Sequence, residues 1–191
     1  SEDDVELNDN SFTTTTDTVK VSVSSITCKN ITFNCTSHTP VFNASSANLI
    51  THGSVVLSPG MKFNCGYLTC NPDSDMSIIT SGVSLNSTSI AISSNFTCTL
   101  PSVLKANSLS LGVRNIDLSG DSIFVSSFHF TSCPDTLDTM IVNLSNTYFK
   151  LTSYNDIVGP KMVVSGRPFI NFYGSSSNTL YGQNSYGKII M

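Results

Sequence analysis

The segment of residues 12–26 has the clearest alternation of apolar and polar positions in the chain. Val19, Val21 and Val23 are separated by lysine and serine residues. In an extended chain the valines therefore lie on one side and the polar side chains on the other. The segment is also rich in threonine, a β-branched residue that favours strands over helices. We predict a strand here, preceded by an acidic arm in residues 1–10.

Short strands follow one another along the rest of the chain, separated by Gly, Pro, Asn and Ser residues. No segment long enough for a helix keeps apolar residues at helical spacing. The pattern predicts an all-β protein built of antiparallel β-sandwiches, and not a parallel sheet with crossover helices. The predicted strands after the first are 30–35, 40–43, 48–57, 61–67, 77–85, 89–92, 96–100, 109–114, 122–131, 140–144, 148–152, 161–164, 169–173 and 187–191.

These strands suggest three parts: an N-terminal arm and strand in residues 1–26, a β-sandwich in 27–133, and a shorter β-rich domain in 134–191. The third part is too short for the roughly seven strands of a complete immunoglobulin-like sandwich. An incomplete sandwich exposes an open sheet edge, which a soluble protein must cover. We expect the strand of residues 13–26 to cover it, either docked within its own chain or exchanged with a neighbouring copy.

In either arrangement the contacts come from the apolar side chains of this strand, which are Val19, Val21, Val23 and Ile26. Burying the three valines would contribute roughly 5 to 8 kcal/mol before entropy costs. Exchange between copies would produce a head-to-tail contact that does not close, and therefore a filament.

Composition limits the classes of partner. Ser and Thr supply 54 residues and Asn 18, whereas the nine basic residues are scattered and the net charge is −4. Without a basic stripe, binding to nucleic acid or to anionic membranes is not expected. The chain has no apolar run long enough to span a membrane. It begins at Ser1 without an apolar signal core, as a mature secreted form would.

Six cysteines form an even set in a chain rich in Asn-x-Ser/Thr motifs, which is typical of the oxidising extracellular environment. They lack the close Cys-x2-Cys spacing of zinc sites, and the histidines lie apart from them, so we predict disulfides and no metal or other cofactor. The sequence leaves the pairing open. The cysteines are Cys28, Cys35, Cys65, Cys70, Cys98 and Cys133.

Six N-glycosylation motifs are present, about as many as this Asn-, Ser- and Thr-rich composition gives by chance. Their use as glycan sites therefore depends on the extracellular location that the cysteines indicate. N-linked glycans would help to keep a chain with so little charge in solution. The acceptor residues are Asn30, Asn34, Asn43, Asn86, Asn95 and Asn143.

Part of the chain, residues 39–131, resembles the TIG/IPT branch of immunoglobulin-like domains. The matching segments are Lys62-Phe-Asn-Cys-Gly-Tyr-Leu-Thr-Cys70, Ser94-Asn-Phe-Thr-Cys-Thr-Leu-Pro101, Leu109-Ser-Leu-Gly-Val113 and Ser126-Ser-Phe-His-Phe130. The paired glycines and the opening Pro-x-Ile of that family are poorly matched. The resemblance implies an immunoglobulin-like sandwich, a disulfide between Cys70 and Cys98, and a role in adhesion or binding.

Three short motifs invite a chemical interpretation, and each has a simpler structural one. Asn71-x-Asp73-x-Asp75 copies the start of a calcium loop but lacks its later Gly and Glu, so a turn is favoured. Ser119-Gly-Asp-Ser122 has no recognisable histidine or acid partner and is better explained as a hairpin turn. His129 is expected on the strand surface opposite Phe124, Phe128 and Phe130.

The C-terminal tail is rich in glycine and aromatic residues. Tyr173, Tyr181 and Tyr186 could stack on sugar rings, because tyrosine offers a flat apolar surface with a hydrogen-bonding rim. A hairpin with packed tyrosines is the favoured interpretation.

Function is narrowed to association and not catalysis. We predict a secreted, glycosylated structural protein that forms a filament or surface coat by strand exchange between copies. The alternative is a monomeric secreted or cell-surface adhesion or receptor-like binding module, including a viral decoy, with its N-terminal strand in its own sheet and a protein or glycan as ligand. An enzyme is not expected, because only 13 acidic residues are present and five of them lie in the first ten positions.

Overall fold

The strands pair in parallel with strands that come 18 to 26 residues later, as Cys98 does with Ile116 and Val5 with Ile31. The computed structural model describes residues 3–131, 140–151, 162–172 and 188–190. Within these residues every strand pair is parallel. The chain therefore winds as a parallel β-solenoid, in which each turn, called a rung below, stacks on the previous one.

The described residues contain one short 3-10 helix, Asp9–Ser11, and sixteen strands. The strands are β1 (Val5–Asn8), β2 (Thr18–Lys20), β3 (Ser25–Cys28), β4 (Ile31–Asn34), β5 (Val41–Thr51), β6 (Val55–Val56), β7 (Lys62–Cys70), β8 (Met76–Ile79), β9 (Leu85–Thr99), β10 (Val103–Asp117), β11 (Ser122–Phe130), β12 (Met140–Asn143), β13 (Tyr148–Leu151), β14 (Met162–Ser165), β15 (Phe169–Phe172) and β16 (Lys188–Ile190).

Three stacks of strands run along the solenoid. Stack 1 contains β1, β4, β6, β8, β12 and β14 with the ends of β9 and β10. Stack 2 contains β2, β13, β15 and β16 with the first parts of β5, β7, β9, β10 and β11. Stack 3 contains β3 and the following parts of those five long strands. Register shifts, such as the one between Ala106 and Ser108, mark the corners where a long strand passes from one stack to the next.

The core consists of ladders of apolar side chains at equivalent inward positions of successive rungs. In stack 3 the five central members of one ladder are at most 1% exposed. In stack 2 the rings of Phe42 and Phe63 are paired in register and stack with their centroids 5.1 Å apart. Each such side chain contributes roughly 1.5 to 3 kcal/mol by burial. The stack 3 ladder is Ile26, Leu49, Leu68, Ile90, Leu109 and Phe128.

The all-β prediction is confirmed, but the prediction of antiparallel immunoglobulin-like sandwiches is wrong. Consecutive strands along the chain belong to different stacks, so a short connection between them turns a corner and does not form a hairpin. Hydrogen bonding instead joins strands one rung apart, and these run in the same direction. Pairing of β10 with β12 and of β11 with β13 continues the same ladders beyond residue 133.

Two carboxylates hold the N-terminal segment against the second rung. Asp9 accepts hydrogen bonds from the backbone N–H groups of Thr36, Ser37 and His38, from the Thr36 hydroxyl and from His38 Nδ1. Asp17 similarly accepts hydrogen bonds from the two threonines that start the preceding turn. These bonds, led by the Thr36 hydroxyl, hold the pKa of Asp9 well below its ordinary value. The segment is therefore fixed by hydrogen bonds as well as by strand pairing.

Candidate ligand-binding groove

An open groove of about 490 Å³ lies on the outer surface of stack 2. Its central line runs through Lys105 of β10, Phe124 of β11 and Lys150 of β13, which are paired in register on three successive rungs. Because neighbouring strands lie about 4.8 Å apart, the two lysine Cα atoms are separated by roughly 10 Å with the phenylalanine between them. The groove is also lined by Asn86, Ala106, Val125 and Ser126.

The Phe124 ring is held between a cation and a second aromatic ring. Lys105 Nζ lies 6.0 Å from its centroid, within the range of a cation–π contact. The Tyr148 ring packs beside it at a centroid distance of 5.9 Å and an interplanar angle of 57°. Asn171 on the next rung donates a hydrogen bond of 3.0 Å to the Tyr148 hydroxyl. The aromatic pair is thus fixed in place and remains partly exposed.

A second outward column beside the first extends the apolar surface. Val103, Ser122, Tyr148 and Phe169 are paired in register on four rungs of stack 2. Val103 is 49% exposed and Phe169 is 42% exposed. No carboxylate is among the described residues that line the groove. Its chemistry is therefore that of a flat aromatic surface flanked by ammonium groups and edged by amide and hydroxyl groups.

The sequence pattern did not reveal Phe124 as an outward residue. Alternation from Phe128 and Phe130, which are buried, predicts that Phe124 also points inward. In the structure two consecutive half-exposed residues, Ser126 and Ser127, interrupt the alternation at the corner between stack 2 and stack 3. Phe124 therefore points outward, whereas His129 lies opposite Phe128 and Phe130 as expected.

The four predicted interface residues lie in the first rung of the solenoid. Val19 pairs in register with Phe42, and Ile26 with Leu49 of the same chain. Val19, Val21 and Ile26 pack partly buried against the core, whereas Val23 is 56% exposed. The N-terminal strand is therefore docked within its own sheet, and three of the four residues contact that sheet.

The six predicted glycosylation sites differ in accessibility. Asn34, Asn86 and Asn95 are exposed, whereas the other three are half-buried. Asn30 is the most constrained, because its Nδ2 donates to Asp4 Oδ1 and its Oδ1 accepts from Ser54 N at 2.6 Å. The three exposed residues, one of which borders the groove, are the best acceptors in the folded chain.

The disulfide prediction is wrong for the cysteines that the structure describes. Cys28, Cys35, Cys65, Cys70 and Cys98 are all buried thiols, and the disulfide between Cys70 and Cys98 that the family resemblance implies is not formed. Burial raises the pKa of Cys70 to about 12 and that of Cys98 to about 11. These residues act as small apolar side chains of the core. Cys133 lies outside the described residues.

The short sequence motifs form turns. Asp75 Oδ1 accepts a hydrogen bond from Thr97 N on the next rung, and Asp73 lies 3.8 Å from His52 Nδ1. Asp117 accepts from Ser119 N at 2.9 Å in the turn that connects β10 to β11. No cluster of His, Cys, Asp and Glu suited to a metal ion occurs within the described ranges. Tyr173, Tyr181 and Tyr186 lie outside these ranges.

No family model, curated protein or solved structure matches this chain. In the part of the chain described above, no helix has the length and apolar character needed to cross a membrane. Functional argument therefore depends on the groove and on the surface around it.

Proposed function

We propose that this chain is an extracellular, glycosylated adhesion module that binds a glycan through the groove on stack 2. The observation that carries the proposal is the exposed pair of Phe124 and Tyr148 on a flat sheet surface, with their rings 5.9 Å apart. Flat aromatic rings stack on the apolar faces of sugars, and the hydroxyl and amide groups around them offer hydrogen bonds to sugar hydroxyls. A rigid solenoid holds these groups in fixed positions.

Two further observations support this proposal. The N-terminal strands β2 and β3 pair with β5 of their own chain, which is the arrangement expected of a monomeric binding module. Exposed acceptor residues at Asn34, Asn86 and Asn95 suit passage through a secretory pathway. The extracellular location no longer draws support from disulfides, because the described cysteines are thiols.

The test is binding of the full chain, secreted from eukaryotic cells, to an array of neutral and acidic glycans. We expect binding that is lost in Phe124→Ala and kept in Phe96→Ala, because Phe96 is a 41% exposed phenylalanine that does not line the groove. Circular dichroism would confirm that both variants fold. Absence of binding to every glycan, or equal loss in the two variants, would refute the proposed function.

A second candidate is assembly of copies into a filament through the first rung. Within the described residues β2 and β3 pair only with β5, so their outer edges have no strand upon them. Light scattering over a range of concentrations separates the two candidates. A constant monomer mass supports the binding module, whereas a mass that grows with concentration and returns to that of a monomer in Val21→Asp supports strand-mediated assembly.

A further inference from the structure

Resting on the proposed function, we infer that the ligand is an acidic glycan that lies along the solenoid axis, with carboxylate groups at Lys105 and Lys150 and a sugar ring on Phe124. Equivalent positions of successive rungs line up along the axis, and these three residues occupy such positions. A polymer with repeated charges can therefore follow the groove from rung to rung.

Charge complementarity favours an anionic ligand. Two of the nine basic residues of the chain line this groove, although the chain as a whole carries a net charge of −4. The described lining contains no carboxylate that would neutralise them. The ammonium groups are about 10 Å apart at their Cα atoms, which suits separate acidic groups along a chain better than a single one.

The shape and the edges of the groove favour a sugar polymer over other anions. Phe124 and Tyr148 provide a flat apolar surface at its centre, while Asn86 and Ser126 offer an amide and a hydroxyl at its margin. Stacking alone would also suit unpaired nucleotides. However, tight binding to a phosphate backbone requires many cationic contacts, and this groove supplies two lysines.

The local nature of the attraction has a measurable consequence. Exposed charges are screened over about 8 Å at physiological ionic strength. Binding of an acidic glycan should therefore weaken as salt is raised, whereas stacking of a neutral sugar on Phe124 should change little. The salt dependence separates the contribution of the lysines from that of the ring.

The decisive experiment is calorimetric titration of the full chain with a hyaluronan octasaccharide and with the same octasaccharide after its carboxylates have been reduced to alcohols. We expect the carboxylated form to bind more tightly. Lys105→Gln and Lys150→Gln should each weaken its binding by about fivefold, without changing the affinity for the reduced form. Lys62→Gln is the matched control, because Lys62 is an exposed lysine that lies outside the groove.

Phe124→Leu tests the ring without removing apolar packing, and should weaken the binding of both octasaccharides. Equal affinity for the two octasaccharides would overturn the acidic ligand while leaving a glycan-binding module intact. Unchanged binding in the lysine double variant would also overturn it. Failure to bind any glycan would instead refute the proposed function itself. Tighter binding of a poly-glutamate peptide or of single-stranded oligothymidine would overturn the inference in favour of that class of anion.

Discussion

Cys28 and Cys70 occupy the same inward position of stack 3 two rungs apart, with Thr51 at that position on the rung between them. At about 4.8 Å per rung their Cα atoms are roughly 10 Å apart. A disulfide spans roughly 4.4 to 6.8 Å between Cα atoms. The parallel stacking therefore places these two cysteines in one ladder and keeps them too far apart to form a bond.

Thiol titration tests this arrangement. Burial raises the pKa of Cys70 to about 12 and that of Cys98 to about 11, so both are protonated and unreactive at pH 8. We expect the described cysteines of the native chain to react very slowly with an aromatic disulfide reagent. After unfolding without reductant all five should react. Fewer than five reactive thiols in the unfolded, unreduced chain would show that disulfides form.

Thr51 and Thr88 are expected to weaken the fold through their hydroxyl groups. Each has a buried Oγ1 with no hydrogen bond of normal geometry, although Thr51 lies close enough to Cys70 to lower the pKa of that thiol slightly. Replacing either residue by valine should raise the free energy of unfolding by about 1 kcal/mol, because an unsatisfied polar group leaves the core. Urea denaturation of protein made without glycosylation measures the change.

Thr147 provides the matched control for these two variants. Its buried Oγ1 donates a hydrogen bond of 2.6 Å to the carbonyl oxygen of Leu118. Thr147→Val should therefore lower the free energy of unfolding by about 1 kcal/mol. A gain of stability in Thr147→Val, or a loss in both of the others, would contradict the assigned hydrogen bonding.

The inward and outward positions of β7 can be tested with neighbouring residues. Leu68 is fully buried between Leu49 and Ile90 of the adjacent rungs, whereas Tyr67 is 63% exposed. Leu68→Ala should lower the free energy of unfolding by about 2 to 5 kcal/mol, and Tyr67→Ala should change it by no more than about 0.5 kcal/mol. The reverse order, measured by urea denaturation, would show that the strand has the opposite face in the core.

Strand positions could be predicted from the sequence, but strand partners could not. Prediction placed strands at 30–35, 122–131 and 148–152, where the structure has β4, β11 and β13. Alternation of apolar and polar residues reports burial of one face and carries no information on whether the neighbouring strand is parallel. The internal period that would have indicated a solenoid is hidden, because rung lengths vary from 18 residues at Cys98 to Ile116 to 26 at Val5 to Ile31.

The candidate site could not be predicted for a related reason. Lys105, Phe124 and Lys150 are far apart in sequence and meet only because their strands stack in register. The tail tyrosines were chosen as sugar-stacking residues because they are clustered in the sequence. A groove that forms across rungs leaves no local motif, so the register must be known before its residues can be grouped.

Acid should loosen the N-terminal segment through Asp9. Its pKa is lowered by the hydrogen bonds from Thr36 and His38, so its contribution to stability is present above the unfolded value of 3.8 and is lost as the pH falls below it. Asp9→Asn should increase cleavage of the segment by protease at pH 7. The difference in urea stability between the two proteins should narrow below pH 3.8. A difference that is independent of pH would contradict this role.

A glycan on Asn86 should restrict access to the groove. Asn86 is exposed, lines the groove and begins an Asn-Ser-Thr motif. An N-linked glycan is bulky and would lie beside Phe124, where the ligand is expected to stack. In protein secreted from eukaryotic cells, Asn86→Gln should therefore increase the affinity for the hyaluronan octasaccharide.

The control is Asn34→Gln, because Asn34 is an exposed acceptor residue that does not line the groove. It should remove one glycan without changing the affinity. The same two variants made in bacteria, where no glycan is attached, should both bind like the parent chain. If Asn86→Gln changes affinity equally in glycosylated and unglycosylated protein, the amide itself contacts the ligand and the glycan does not restrict access. If mass spectrometry shows Asn86 occupied and affinity is unchanged on its removal in secreted protein, the ligand does not bind at this groove.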